Sequence, residues 1–170
     1  NISGDVLVCA VEREKQVFIP DGNFELHQGD VVSFIATSKA AKEFFERIGM
    51  PNKPVHNTMI IGGGKAAYYL GKMLIDMGIE VKIIEIDRKR CRELSELLPQ
   101  ATIINGDGTD EELLNEEEIA YVDSLVPLTG IDEENVLLAL HAREVSDAKV
   151  ITKVNRNAFH NLIDKLDIGS

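Results

Sequence analysis

Two features of this sequence could do chemistry together: the run Gly62-Gly63-Gly64-Lys65-Ala66-Ala67 and the acid Glu85. The glycines follow an apolar stretch and open a helical pattern. In such a turn the first glycine permits the tight bend and the second lets the backbone approach a pyrophosphate. Free N–H groups and the helix dipole then hold the anion. The third glycine position is Ala67 here, whose methyl is expected to push the helix out slightly. Glu85 follows the first glycine at close to the interval of roughly 20 residues at which a ribose-binding acid stands. A carboxylate there accepts hydrogen bonds from both ribose hydroxyls and repels a 2′-phosphate, which favours NAD, NADH, ATP or ADP over NADP. Arg88, Lys89 and Arg90 stand near enough in sequence to offset that repulsion. Lys65 does not make a Walker A loop, because the pattern G-x-x-x-x-G-K-[ST] is absent. It is either a cation facing a terminal phosphate or a solvated lysine.

These residues need a frame. Strands are expected at Thr58 to Ile61, Glu80 to Ile86, Thr102 to Asn105, Ser124 to Leu128 and Lys149 to Val154, separated by helical patterns. Alternation of this kind implies a parallel sheet with crossover helices. Leu70, Met73, Leu74 and Met77 form the expected apolar stripe of the first helix, and Leu94, Leu97 and Leu98 that of the second. A later helix carries Val136, Ala139 and Leu140, with Leu137 and Leu138 widening its apolar face toward a partner. The expected fold is α/β, a Rossmann-like parallel sheet forming a nucleotide-binding domain, preceded by a small α+β companion domain.

The companion is expected over residues 1–50. Its strands are Asp5 to Val11, Lys15 to Ile19 and Asp30 to Ala36, and a helix runs from Lys39 to Ile48 with Ser38 as its cap. The prolines and glycine between Gly49 and Pro54 can continue neither helix nor central strand, so residues 51–56 read as linker and 57–170 as the nucleotide-binding domain. The chain opens on Asn1 rather than Met, and both ends are expected to be cuts in a longer chain.

A formal net charge of -11 disfavours nucleic acid and anionic lipid as direct partners. No stretch reaches the 18 or more apolar residues of a membrane span, and Cys9 and Cys91 have neither metal-knuckle nor redox-pair spacing. A soluble chain in a reducing cytoplasm, without direct membrane insertion, is the expectation. The acidic cluster Glu111, Glu112, Glu116, Glu117 and Glu118 reads as solvated helix ends, and no metal is expected there.

In order along the chain, MIIGGGKAAYYLGKML, VKIIEIDRKRC, INGDGTDEELL, PLTGIDEENVLLALHARE and VITKVNR resemble the nucleotide-binding domain of TrkA-type subunits, the RCK or KTN family. The earlier residues are similar to that family's companion domain, through Ile19-Pro20-Asp21-Gly22, Leu26 and Gly29-Asp30. A companion ahead of a nucleotide domain implies a tandem chain, cut so that the companion lacks its first strand and the nucleotide domain its last. The resemblance implies that Gly62, Gly63, Gly64 and Lys65 meet phosphates and that Glu85 meets the ribose. It places Asp107, Gly108 and Thr109 beside the adenine and makes Thr129 a ligand contact. The residues themselves leave two alternatives: Asp107-Gly108 is a simple turn capped by Thr109, and Thr129 with Asp132 forms a capping box. Asn135 and Arg156 match family positions only loosely.

By the same resemblance the chain is a regulatory, nucleotide-sensing cytoplasmic subunit of a potassium uptake system. It would work as a homodimer or higher ring against an integral-membrane potassium transporter subunit at the inner face of the membrane. The rival is the cofactor domain of an NAD-dependent oxidoreductase. A dehydrogenase needs a proton-transfer group against the nicotinamide. His141 and His160 read as helix-face residues, and Tyr68-Tyr69 lacks the lysine partner of short-chain reductases, so no enzyme is expected. A third reading keeps the fold only as an assembly scaffold with an empty turn.

Overall fold

The structure, a computed structural model, describes residues 6–50 and 53–155. The chain divides into two units, one ending at Lys53 and the other beginning at Pro54.

In the first unit β1 (Val6–Arg13), β2 (Gln16–Phe18) and β3 (Val31–Ala36) form an antiparallel sheet in the order β2-β1-β3, followed by α1 (Ser38–Arg47). Glu14 and Lys15 both take positive φ, the geometry that lets a two-residue loop follow the strand twist. Lys15 is therefore turn, not strand. The Arg13 guanidinium binds Asp30 through two 2.7 Å contacts and lies over the rings of Phe18 and Phe24. Thr37, not Ser38, caps α1, because its hydroxyl accepts from the Ala40 N–H while Ser38 is already in the first turn.

The second unit contains β4 (Asn57–Ile61), α2 (Lys65–Asp76), β5 (Glu80–Glu85), α3 (Arg88–Leu97), β6 (Thr102–Asn105), α4 (Glu111–Glu116), β7 (Ser124–Pro127), α5 (Asp132–Val145) and β8 (Lys149–Val150). Its parallel sheet runs β6-β5-β4-β7-β8. The chain builds outward from β4 through β5 to β6, then returns to β4's other edge for β7. That reversal opens a crevice beyond the carboxyl ends of the central strands, where open α/β sheets bind ligands. The fold is thus α/β and Rossmann-like, with a small antiparallel sheet ahead of it.

Alternation along β4 feeds two cores. Ile60 packs with Ala67, Val81, Ile83, Leu94, Leu98 and Val126 on the face covered by α2 and α3. Met59 and Ile61 pack with Ile84, Leu114, Leu125, Val136 and Leu138 on the other. The stripe expected on α2 is rotated. Ala67 and Gly71 are buried and Leu70 and Leu74 flank them, while Met73 and Met77 are exposed. The small pair, one turn apart, lets the helix lie close to the sheet. A Cβ on Gly71 would stand 3.2 Å from Leu98 Cδ1, so the Met side turns outward. Leu97 of α3 and Leu137 of α5 are also exposed. The expected last strand shortens to Lys149–Val150, although Ile151 N–H still donates to Leu125 O. His160 and Arg156 lie outside the described residues.

Candidate functional site

Apolar β4 ends where its backbone must bend across β7. Gly62 takes φ +99, and a Cβ there would stand 2.8 Å from Leu128 O, so both conformation and space require glycine. Gly64 then begins α2 as its N-cap without any side-chain cap and without an acid in the first turn. A Cβ on Gly64 would meet nothing within 4 Å. The turn therefore presents open backbone at the positive end of a helix dipole. Ala67 is fully buried against the sheet, as the third position of the motif requires.

Not every amide of the turn is open. The Gly63 N–H donates to Glu85 Oε2, a correction to the expectation of free N–H groups throughout. Glu85 Oε1 accepts from the Asp87 N–H at 2.7 Å. Each carboxylate oxygen offers about two acceptor directions, so one remains on each. Asp87 caps α3 through the N–H groups of Arg90 and then Lys89, which hold its carboxyl below the usual range.

At the end of β6, Asp107 Oδ1 accepts from both the N–H and the hydroxyl of Thr109, and these bonds lower the Asp107 pKa. The segment is a self-capped turn. Gly108 packs so closely that a Cβ would stand 2.2 Å from Ile61 Cγ2. Thr129 follows β7. Its hydroxyl bonds to the N–H and carbonyl of Ile131, and Ile131 is the N-cap of α5. The expected capping box is therefore replaced by a turn two residues wide.

Asn135, matched only loosely from sequence, holds this corner. Fully buried, it accepts from the Thr129 N–H at 2.9 Å and donates to Thr129 O and Lys153 O. A single amide thus ties the loop after β7 to the segment after β8. The sequence signal was a carboxamide inside an otherwise apolar helix face.

Gly62, Gly63, Gly64, Glu85, Asp107, Gly108, Thr109 and Thr129 line one cleft of about 530 Å³, joined by Ile86, Ile131 and Glu134 among others. Lys65 is exposed beside it in the first turn of α2. The volume falls within the range of roughly 300–1,000 Å³ common for small-molecule sites.

Residues 58–170 match the TrkA-N domain family and residues 1–49 the TrkA-C domain family. "Trk system potassium uptake protein TrkA" of Haemophilus influenzae is 33% identical over 159 residues, covering 94% of this chain and 34% of that protein. "Trk system potassium uptake protein TrkA homolog 2" of Methanosarcina mazei is 31% identical, covering 95% of this chain and 36% of that protein. The chain spans about a third of the length of these relatives. Among solved structures, the TrkA-N domain of the inner membrane protein ybaL from Escherichia coli superposes with TM-score 0.59 at 20% identity, covering 67% of this chain and 84% of that one. The GsuK channel bound to NAD superposes with TM-score 0.58 at 18% identity, covering 76% and 24%. These two likenesses are of fold.

Proposed function

From the premise that this chain belongs to the TrkA family, with a TrkA-C domain ahead of a TrkA-N domain, we propose that it is a nucleotide-sensing piece of a regulatory subunit of a potassium uptake system. One observation carries the reading. An uncapped glycine turn, a carboxylate with acceptor directions to spare, and the turns after β6 and β7 all face one cleft at the point where strand order reverses.

In this proposal Gly62, Gly63, Gly64 and Lys65 surround the phosphates of NAD or NADH, with ATP or ADP as further ligands. Glu85 accepts from the ribose diol. Asp107, Gly108 and Thr109 flank the adenine, and Thr129 closes the far wall. Arg90 is already engaged with Gly63 O and Glu93, which leaves it poorly placed to offset a 2′-phosphate beside Glu85 and supports NAD over NADP. The polar side chains lining the cleft among the described residues are Glu85, Asp107, Thr109, Thr129 and Glu134. They suit recognition of hydroxyls and amides.

The output follows from linkage. A nucleotide that binds one arrangement of paired domains better than another shifts the population by its differential affinity, and no further. The partner is an integral-membrane potassium transporter subunit reached from the cytoplasmic face, and the paired domains form a homodimer or higher ring. No described helix is long and apolar enough to cross a membrane. The first 50 residues act as the companion of such a pair, and residues 57–170 as the sensor.

A thermal-shift titration with NAD, NADH, NADP, ATP, ADP and AMP tests this. At 100 times Kd the wild type gains about 2.7 kcal/mol from the preferred ligand. Glu85→Ala loses most of that gain, and NADP stabilises less than NAD. A flat response across the panel defeats the sensor and leaves the scaffold.

A further inference from the structure

Arg90 does not line the cleft, yet it reaches the middle of the glycine turn. Its Nε donates to Gly63 O at 2.7 Å, and its Nη1 is held by Glu93 Oε2 at 3.1 Å. The bond closes a ring. Glu85 Oε2 takes the Gly63 N–H, Gly63 O takes Arg90 Nε, Asp87 Oδ1 takes the Arg90 N–H, and Glu85 Oε1 takes the Asp87 N–H. Gly63 is thereby gripped on two successive peptide planes. It has no slack sideways either, since a Cβ there would stand 2.6 Å from Leu94 Cδ1.

A trans peptide plane carries its C=O and N–H in opposite directions, and no described peptide bond is cis. Pinning Gly63 O toward Arg90 on α3 therefore turns the N–H of the same plane, which belongs to Gly64, away from α3. Gly64 lines the cleft, and the space beside its Cα is open. We infer that Arg90 is a positioning residue for diphosphate-bearing nucleotides, fixing the 63–64 peptide plane so that the Gly64 N–H aims at the phosphates without itself touching the ligand. This rests on the nucleotide reading above.

Because the donor is Nε, the role separates from charge. Glutamine carries its amide nitrogen the same number of bonds from Cα as arginine carries Nε, so Arg90→Gln keeps the donor and removes the charge. Arg90→Met keeps the length and removes both. The test is calorimetric titration of ADP and adenosine into wild type and both variants, with folding checked by circular dichroism. For ADP, Arg90→Met should weaken binding at least tenfold and Arg90→Gln less than threefold; adenosine should change less than twofold in either. Arg90→Gln as weak as Arg90→Met overturns the inference, because charge is then what matters. Equal losses for ADP and adenosine, or no loss in Arg90→Met, overturn it too. If the wild type binds neither ADP nor NADH, the nucleotide reading falls and this inference with it; if it binds NADH alone, NADH takes the place of ADP in the comparison. An Arg90→Met variant that does not fold passes the decision to Arg90→Gln and to Arg90→Ala, a helix-favouring truncation that removes both donor and charge. A tenfold or greater loss for ADP in Arg90→Gln with adenosine unchanged then refutes the inference. Retained ADP binding in Arg90→Gln with a selective loss in Arg90→Ala supports it, and retained binding in both overturns it.

Discussion

At Glu85 two backbone amides meet one carboxylate, from Gly63 on one side and Asp87 on the other. The acid both shapes the turn and faces the cleft. Substitutions on this circuit will therefore alter folding and binding together, and a ligand-free stability measurement must accompany each titration. Gly62 is the clearer structural position. Gly62→Ala combines left-handed strain with a collision against Leu128 O. It should lower unfolding stability by about 1–3 kcal/mol or more in urea titrations. The meeting of the glycine run with Glu85 was legible from spacing, because the turn after one parallel strand lies beside the end of the next. Arg90's bond to Gly63 O was not, since a side chain reaching a backbone carbonyl on another element leaves no pattern in the sequence.

Among elements, α2 shows how periodicity locates a helix without fixing its rotation. Leu70, Met73, Leu74 and Met77 fit the helical template, yet small Ala67 and Gly71 set the contact line and the methionines face out. Met73→Lys with Met77→Lys should leave the stability of the isolated chain within about 0.5 kcal/mol per substitution, as measured by urea unfolding. Asn135 in α5 is the opposite case. Asn135→Leu would leave the Thr129 N–H and two carbonyls without their amide partner, and it should cost about 1–3 kcal/mol per buried group left unsatisfied. The β-strands were legible from apolar runs bounded by turn residues. The Glu14-Lys15 turn was not, because neither residue type favours positive φ; the pairing of β1 with β2 imposes it. Thr129 and Asp132 had the spacing of a capping box, but the Asn135 amide holds the Thr129 backbone and moves the helix start to Ile131.

For the molecule as a whole, acid content governs how stability responds to pH. In the first unit Asp30 is held well below the usual carboxylate range, first by its hydrogen bonds from Arg13 and then by the His27 N–H. A depressed folded pKa stabilises the unit above the unfolded value of about 3.9, and that contribution is lost as pH falls below it. Asp30→Asn should flatten the acid limb of a pH series of unfolding measurements relative to wild type. Undiminished acid sensitivity would show that other carboxylates dominate. The boundary between the two units falls between Lys53 and Pro54, inside the stretch from Gly49 to Pro54 whose prolines and glycine can continue neither helix nor central strand. The central claim is that a nucleotide rests at the glycine turn. Amide chemical-shift mapping of the ¹⁵N-labelled chain titrated with ADP and NADH tests it most directly. The largest shifts should fall on Gly63, Gly64, Lys65, Asp107 and Thr129 and be lost in Glu85→Ala. Shifts that instead gather at the opposite end of the strands, around the recess lined by Asn57, Lys82, Glu118 and Tyr121, or that never appear, would contradict it.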